Sequence, residues 1–268
     1  MSQPLVIVGA PRSGTTFLCH VLNAHEDVGI TNEARIFADL KQRLDPGAAR
    51  DDLIGRDFQP QWLEFQRHHA GRWIEQFYRE VLGIRTRIWG DKHPPYADPT
   101  ILSGRNNAVP HPPQSGSCLG LINEVLPATK FIHIHRHPAR VALSLARKGW
   151  IDSFEAGLGI WQQYITEIDR FFSQLPADRQ LTIAHHDLLA EPDGSSHAIA
   201  RFLDLSDAGP IARFLHAQRR APTPFSEPMS VLGSARSPVS SREKRLAARQ
   251  LGALAAQFGY AEPARVAA

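Results

Sequence analysis

Residues 5–8, Leu-Val-Ile-Val, form an unbroken apolar run rich in β-branched side chains, as expected of a strand buried on both faces. Polar and turn-forming residues follow at once, Gly9-Ala-Pro-Arg-Ser-Gly-Thr-Thr16, and then Phe17, Leu18, Val21 and Leu22 return at helical spacing. The pattern predicts strand, tight loop and helix in succession. Residues 23–28 turn the chain, and Glu33-Ala-Arg35 falls in a loop or at the start of a second helix. Between residues 62 and 82 apolar positions recur at helical intervals, with Gly71 a predicted break. Trp62, Phe65, Trp73 and Phe77 read there as helix core, with an apolar acceptor pocket as their second possible use. A second strand is predicted at 85–89, with Gly90-Asp-Lys-His-Pro94 at its end.

Further along, a short helix is predicted at 117–126, a strand at 130–135 and a helix opening on Pro138, where proline suits the first turn. A long amphipathic helix spans 154–175, a fourth strand 180–184, and helices lie near 195–203, 211–218 and 242–258. Residues 98–117 and 222–241, rich in Pro, Gly and Ser, read as loops or lids. Strands alternating with helices predict an α/β fold, a parallel central sheet flanked by helices. Ligands of such sheets bind outside the carboxyl ends of the strands. Those four predicted ends carry Arg12 to Thr16, Lys92-His93, Arg136 and His185-His186.

The first of these ends is built for an anion. Gly9 and Gly14 remove side chains where backbone must approach a ligand or take positive φ. The amides from Arg12 to Thr16 would open a helix, whose dipole favours negative charge. Arg12 adds a cationic fork, while Ser13, Thr15 and Thr16 add hydroxyls. A phosphate or sulfate ester fits. The stretch nearly matches G-x-x-x-x-G-K-[ST], yet Thr15 stands where a nucleotide P-loop has Lys. The strand at 130–135 ends in Arg136 rather than in an acid for magnesium, so the loop reads as an anion site without a metal.

Composition adds bounds. At 268 residues, 43% hydrophobic and 21% charged, the chain is expected to be one soluble domain over 1–268. A formal charge of +3 is too small to imply nucleic acid. Two cysteines, Cys19 and Cys118, exclude a disulfide framework. No apolar run approaches eighteen residues, so no membrane span is expected, and a strand starting four residues from Met1 leaves no room for a signal peptide. A cytoplasmic location follows as the expectation. His133 and His135 alternate with apolar residues and read as core or rim. The neighbouring pairs His68-His69 and His185-His186 cannot easily share one metal, so none is expected.

Two of these stretches together resemble the 3′-phosphoadenosine 5′-phosphosulfate (PAPS)-dependent sulfotransferases. Pro11-Arg-Ser-Gly-Thr-Thr16 is similar to that family's 5′-phosphosulfate loop, and residues 130–144 are similar to its 3′-phosphate motif, with Arg136 and Ser144 at the binding positions. The likeness covers residues 4–40, 88–96, 118–150 and, weakly, 180–204. Within the family, the first forty residues are most similar to the tyrosylprotein-type branch, in which Glu33-Ala-Arg35 and Lys92 match residues of the catalytic centre.

The resemblance implies PAPS as sulfuryl donor, its desulfated form PAP as product, no metal, and a hydroxyl-bearing acceptor: a small molecule, lipid, sugar or tyrosine. It implies that Ser13 and the Gly14, Thr15 and Thr16 amides hold the 5′-phosphate, and that Arg136, Ser144 and Arg147 hold the 3′-phosphate. Arg12 and Lys92 would stabilise the bridging oxygen and Glu33 would be the general base, with His93 the runner-up. His185 stands where family members commonly carry Tyr, and Arg236 is a candidate late basic contact. A P-loop kinase or NTPase and a non-catalytic PAP-binding module are the competing readings. Oligomeric state is not legible.

Overall fold

The computed structural model describes residues 2–44, 59–101, 116–220 and 239–260. Five parallel strands, β1 (Gln3–Val8), β2 (Val28–Asn32), β3 (Ile88–Lys92), β4 (Lys130–His135) and β5 (Gln180–Ala184), form one sheet in the order β2-β3-β1-β4-β5. The α/β class with a parallel sheet is therefore as the sequence implies. Because β1 is flanked by β3 on one side and β4 on the other, the chain crosses the sheet in opposite directions from it, creating a switch point at its carboxyl end.

Alternation along β1 divides the core. Leu5 and Ile7 pack with Phe17, Leu18 and Val21 of α1 (Thr15–Leu22) and with α7 (Asp187–Ala190), α8 (Pro192–Leu203) and α9 (Gly209–Arg220). Val6 and Val8 face the opposite layer, built from α2 (Ile36–Leu44), α3 (Gln59–Gln76), α4 (Leu119–Val125), α5 (Pro138–Arg147), α6 (Phe154–Phe172) and α10 (Ser241–Gln257). Trp161 of α6 and Phe131 of β4 are completely buried there. Among the described residues, no helix is long and apolar enough to cross a membrane.

Four expectations need correction. The structure has five strands, not four: Val28-Gly-Ile-Thr-Asn32 is an edge strand whose outer side is tied to α1. Asn23 there donates to the Ile30 carbonyl at 2.9 Å and accepts from the Ile30 amide at 2.8 Å, as a neighbouring strand would. The second predicted strand moves from 85–89 to Ile88–Lys92, because pairing to β1 and β2 in register continues through Lys92. Trp62, Phe65, Trp73 and Phe77 are not core but exposed.

Gly71, finally, does not break α3, which runs through it and ends in a π-helical turn at Phe77–Val81. Its role is contact: a Cβ at this position would lie 2.0 Å from the Val125 carbonyl oxygen of α4. Gly71→Ala is accordingly expected to destabilise by about 1–3 kcal/mol through overpacking, although alanine is the better helix former. Urea unfolding would measure this, and a more stable variant would refute it. The predicted loops at 98–117 and 222–241, and Arg236, lie largely or wholly outside the described residues.

Candidate active site

At the end of β1 the chain passes close to β4, where a Cβ on Gly9 would come 2.4 Å from the Ile134 carbonyl oxygen. A turn closed by the Ser13 amide on the Ala10 carbonyl, 3.1 Å, then reverses direction. Arg12 (φ 70°) and Gly14 (φ 100°) are both left-handed, and α1 begins at Thr15. For Gly14 the missing side chain is required twice over, by φ and by the His185 ring, whose Cδ2 would be 2.3 Å from a Cβ. The first amides of α1 have no partners within the helix. Beside them the Ser13 hydroxyl is wholly buried and lacks a hydrogen-bond partner, as does His185 Nε2. Burial of this quality without a partner fits a loop shaped around an anionic oxygen.

On one side of this loop stand the ends of β2 and β3. Lys92, whose side chain is completely buried, donates from Nζ to Glu33 Oε1 at 2.8 Å, while the Glu33 side chain is half-exposed. Lys92 pairs with Ile7 in the sheet and so points to the α1 layer. Burial pushes the Glu33 carboxyl up, but the Lys92 hydrogen bond and charge, helped by His93, outweigh it and hold the carboxyl below its ordinary value. Glu33 is thus ionised at neutral pH. His93 is buried beside it with Nδ1 unpartnered; burial, with the charges of Arg35 and Lys92, lowers its pKa against the pull of Asp91 and Glu33.

Sequence reasoning missed what holds Glu33 in place. Glu33 (φ 67°) and Arg35 (φ 62°) are strained, and the buried Asp91 carboxylate fixes the turn between them. Its Oδ1 accepts from the Ala34 amide at 3.1 Å and the Thr31 hydroxyl at 2.7 Å, and its Oδ2 accepts from the Tyr96 hydroxyl at 2.6 Å. The signal was alternation: Asp91 precedes Lys92 in the strand, so it must face the other layer.

On the other side of the loop, Arg136 leaves β4 and its Nη1 approaches the Arg12 carbonyl oxygen at 3.5 Å. Burial, together with Arg140 and Arg12, lowers its pKa to about 10. Arg12 Nε donates to Ser144 Oγ on α5 at 3.0 Å, and its guanidinium lies 5.8 Å from the exposed Trp150 ring. The structure thus brings Arg12, Ser13, Gly14, Thr15, Thr16, Arg136 and Ser144 to one place, flanked by Glu33 and Lys92. Arg147 is exposed in the last turn of α5 and bonds to none of them. His133 and His135 belong to the core, burial lowering them to about 3 and about 4, and His135 Nδ1 sits 2.8 Å from the Tyr260 hydroxyl.

Residues 4–209 match the family model described as "Sulfotransferase family". Among solved structures, the chain is similar to the sulfotransferase domain from the curacin biosynthetic pathway, at 19% identity over 98% of this chain and 99% of that one, with a TM-score of 0.58. The sulfotransferase domain of the Synechococcus PCC 7002 olefin synthase is similar at 20% identity over 98% and 96%, TM-score 0.55. Sulfotransferase STF9 from Mycobacterium avium follows at 12% identity over 83% and 69%, TM-score 0.51. These likenesses show a shared fold. No curated protein matches the sequence.

Proposed function

The chain belongs to the sulfotransferase family, and from that premise we propose that residues 1–268 are one domain moving the sulfuryl group of PAPS to an acceptor hydroxyl. Glu33 is the base in this reading. It takes the hydroxyl proton as the acceptor oxygen attacks sulfur, and the bond from sulfur to the 5′-phosphate oxygen breaks, releasing PAP. Lys92 and Arg12 stabilise the charge that grows on that bridging oxygen. Ser13 and the Gly14, Thr15 and Thr16 amides hold the 5′-phosphate. Arg136 and Ser144 hold the 3′-phosphate, with Arg147 reaching it from the same face of α5.

The observation that carries the reading is the Glu33–Lys92 contact of 2.8 Å at the carboxyl ends of β2 and β3, next to the anion loop of β1. A carboxylate held ionised against a buried cation suits a base and an electrophilic stabiliser that part company when donor and acceptor enter. It supports likeness to the tyrosylprotein-type branch and disfavours a non-catalytic PAP-binding module. Both cysteines are free and buried, which suits a reducing compartment such as the cytoplasm.

The test is a thermal shift with PAP, repeated with a chelator. PAP is expected to raise Tm equally in both. No shift, or one that needs a divalent ion, would refute the donor assignment and favour the kinase reading. A mass-spectrometric screen of hydroxyl compounds for a sulfate-sized gain would then identify the acceptor class.

The Asp91 anchor gives a second prediction. Tyr96→Phe removes one of its three donors and keeps the ring against Phe37, 5.3 Å away edge-on. Stability should fall by about 1.5–3 kcal/mol, as for a hydrogen bond to a buried charge. Turnover should fall while the PAP-induced shift persists, because the loop that loosens carries Glu33 and not the donor contacts. Unchanged unfolding and turnover would show that Asp91 does not need the phenol.

A further inference from the structure

The largest feature left unused by this chemistry is the outer face of α3. Trp62, Phe65, Trp73 and Phe77 are 55, 47, 44 and 37% exposed, and the first three form one ladder of rings with His69. Trp62 stacks on Phe65 at 5.6 Å, Phe65 meets His69 at 4.3 Å, and His69 stacks on Trp73 at 5.9 Å. Side chains of about 150–250 Å² each, exposed to this degree, leave on the order of 400 Å² of aromatic surface facing water. Scattered apolar residues need no explanation, but a continuous patch of this size does.

From this we infer that α3 is a homodimer seam, with a second copy of the chain packed antiparallel across a two-fold axis at His69. The sequence order is what selects this occupant. Counted from His69, the rings lie at −7, −4, +4 and +8, nearly the same read in either direction. An isologous contact needs such a self-complementary strip. In the antiparallel arrangement Phe65 of one copy comes level with Trp73 of the other, on opposite sides of the seam, so the rings interleave. Trp62 comes level with Phe77 to within one residue. A stable interface takes about 800 Å² per partner, roughly 65% apolar in homodimers, and the ladder supplies most of that apolar share.

Sedimentation or light scattering at micromolar concentration should give twice the mass of one chain. Phe65→Glu and Trp73→Glu, both on the exposed face, should each give the single-chain mass with an unchanged circular dichroism spectrum. Position 69 tests the register. Helices of about 2.3 Å radius, packed about 10 Å apart, bring Cα atoms facing across the axis to roughly 5.4 Å, within disulfide range. His69→Cys should therefore oxidise to a covalent dimer, since Cys19 and Cys118 are buried. Arg201→Cys on α8, exposed on the other layer, should not. A wild-type protein of single-chain mass, or a dimer that survives both Glu variants, overturns the proposal. Monomeric Glu variants without cross-linking at 69 overturn the antiparallel register. None of these readouts depends on the donor or on turnover.

Discussion

Glu33→Gln is expected to lower kcat by about 10²–10⁴-fold, the usual worth of a positioned base, while the Tm rise produced by PAP stays the same. Gln keeps the shape and can still accept from Lys92, so what is removed is the capacity to take a proton. The pH–rate profile sharpens the point. Because Lys92 holds the Glu33 carboxyl of the free protein below its ordinary value, the acid limb of the wild-type kcat/KM profile should lie below the usual carboxylate range. Were His93 the base, burial would put the limb below the ordinary histidine value instead, and His93→Gln would be the damaging change. Retained turnover in Glu33→Gln removes Glu33 from the mechanism.

The same pair makes folding pH-dependent in a fixed direction. A carboxyl whose folded pKa is depressed contributes stability that is complete above its unfolded pKa and is lost as pH falls through the folded one. The contribution of the Glu33 charge therefore fades on acidification, and that charge is absent from the Gln variant at every pH. Half the Glu33 side chain is in water, so screening keeps this contribution small beside the kinetic effect.

How far the sequence is readable depends on whether each element's own residues carry the strand signal. β4 and β5 have the boundaries expected, because Phe131, Ile132 and Ile134 in the one, and Thr182 and Ile183 in the other, carry the aromatic and β-branched signal of strands. β2 is not legible because Gly29 and Asn32, both poor strand formers, leave only Val28, Ile30 and Thr31 to signal it, and its order comes from β3 and from the Asn23 side chain. β3 was misplaced because Gly90, Asp91 and Lys92 are poor strand formers held extended by neighbours on both sides. On α3, periodicity identified which rings share a face but could not say whether anything covers that face. The site is more legible than β2. Arg12, Lys92 and Arg136 follow directly from β1, β3 and β4, and strand order alone brings them together. Asp91 could not be found the same way, since its partners Thr31, Ala34 and Tyr96 are assembled only by the fold.

Arg136→Met should separate folding from donor binding with opposite signs. Among the described residues no carboxylate lies within ion-pair distance of Arg136, and Arg12 and Arg140 both press against its charge. Among the same residues its one side-chain hydrogen bond, to the Arg12 carbonyl, is long at 3.5 Å. A cation partly withdrawn from water among like charges weakens the protein without ligand, and an apolar chain of similar length relieves that cost. The Trp161 indole donates to the Arg136 carbonyl, so that bond survives the change of side chain. Urea unfolding without ligand should therefore show Arg136→Met to be the more stable protein. With PAP the order should reverse: loss of a buried charge contact to phosphate is worth about 2–5 kcal/mol, a 30-fold or greater rise in Kd, and with it goes the ligand-linked gain in Tm. A variant that is less stable without ligand yet keeps its PAP response would make Arg136 a structural cation. The 3′-phosphate would then have to be held elsewhere.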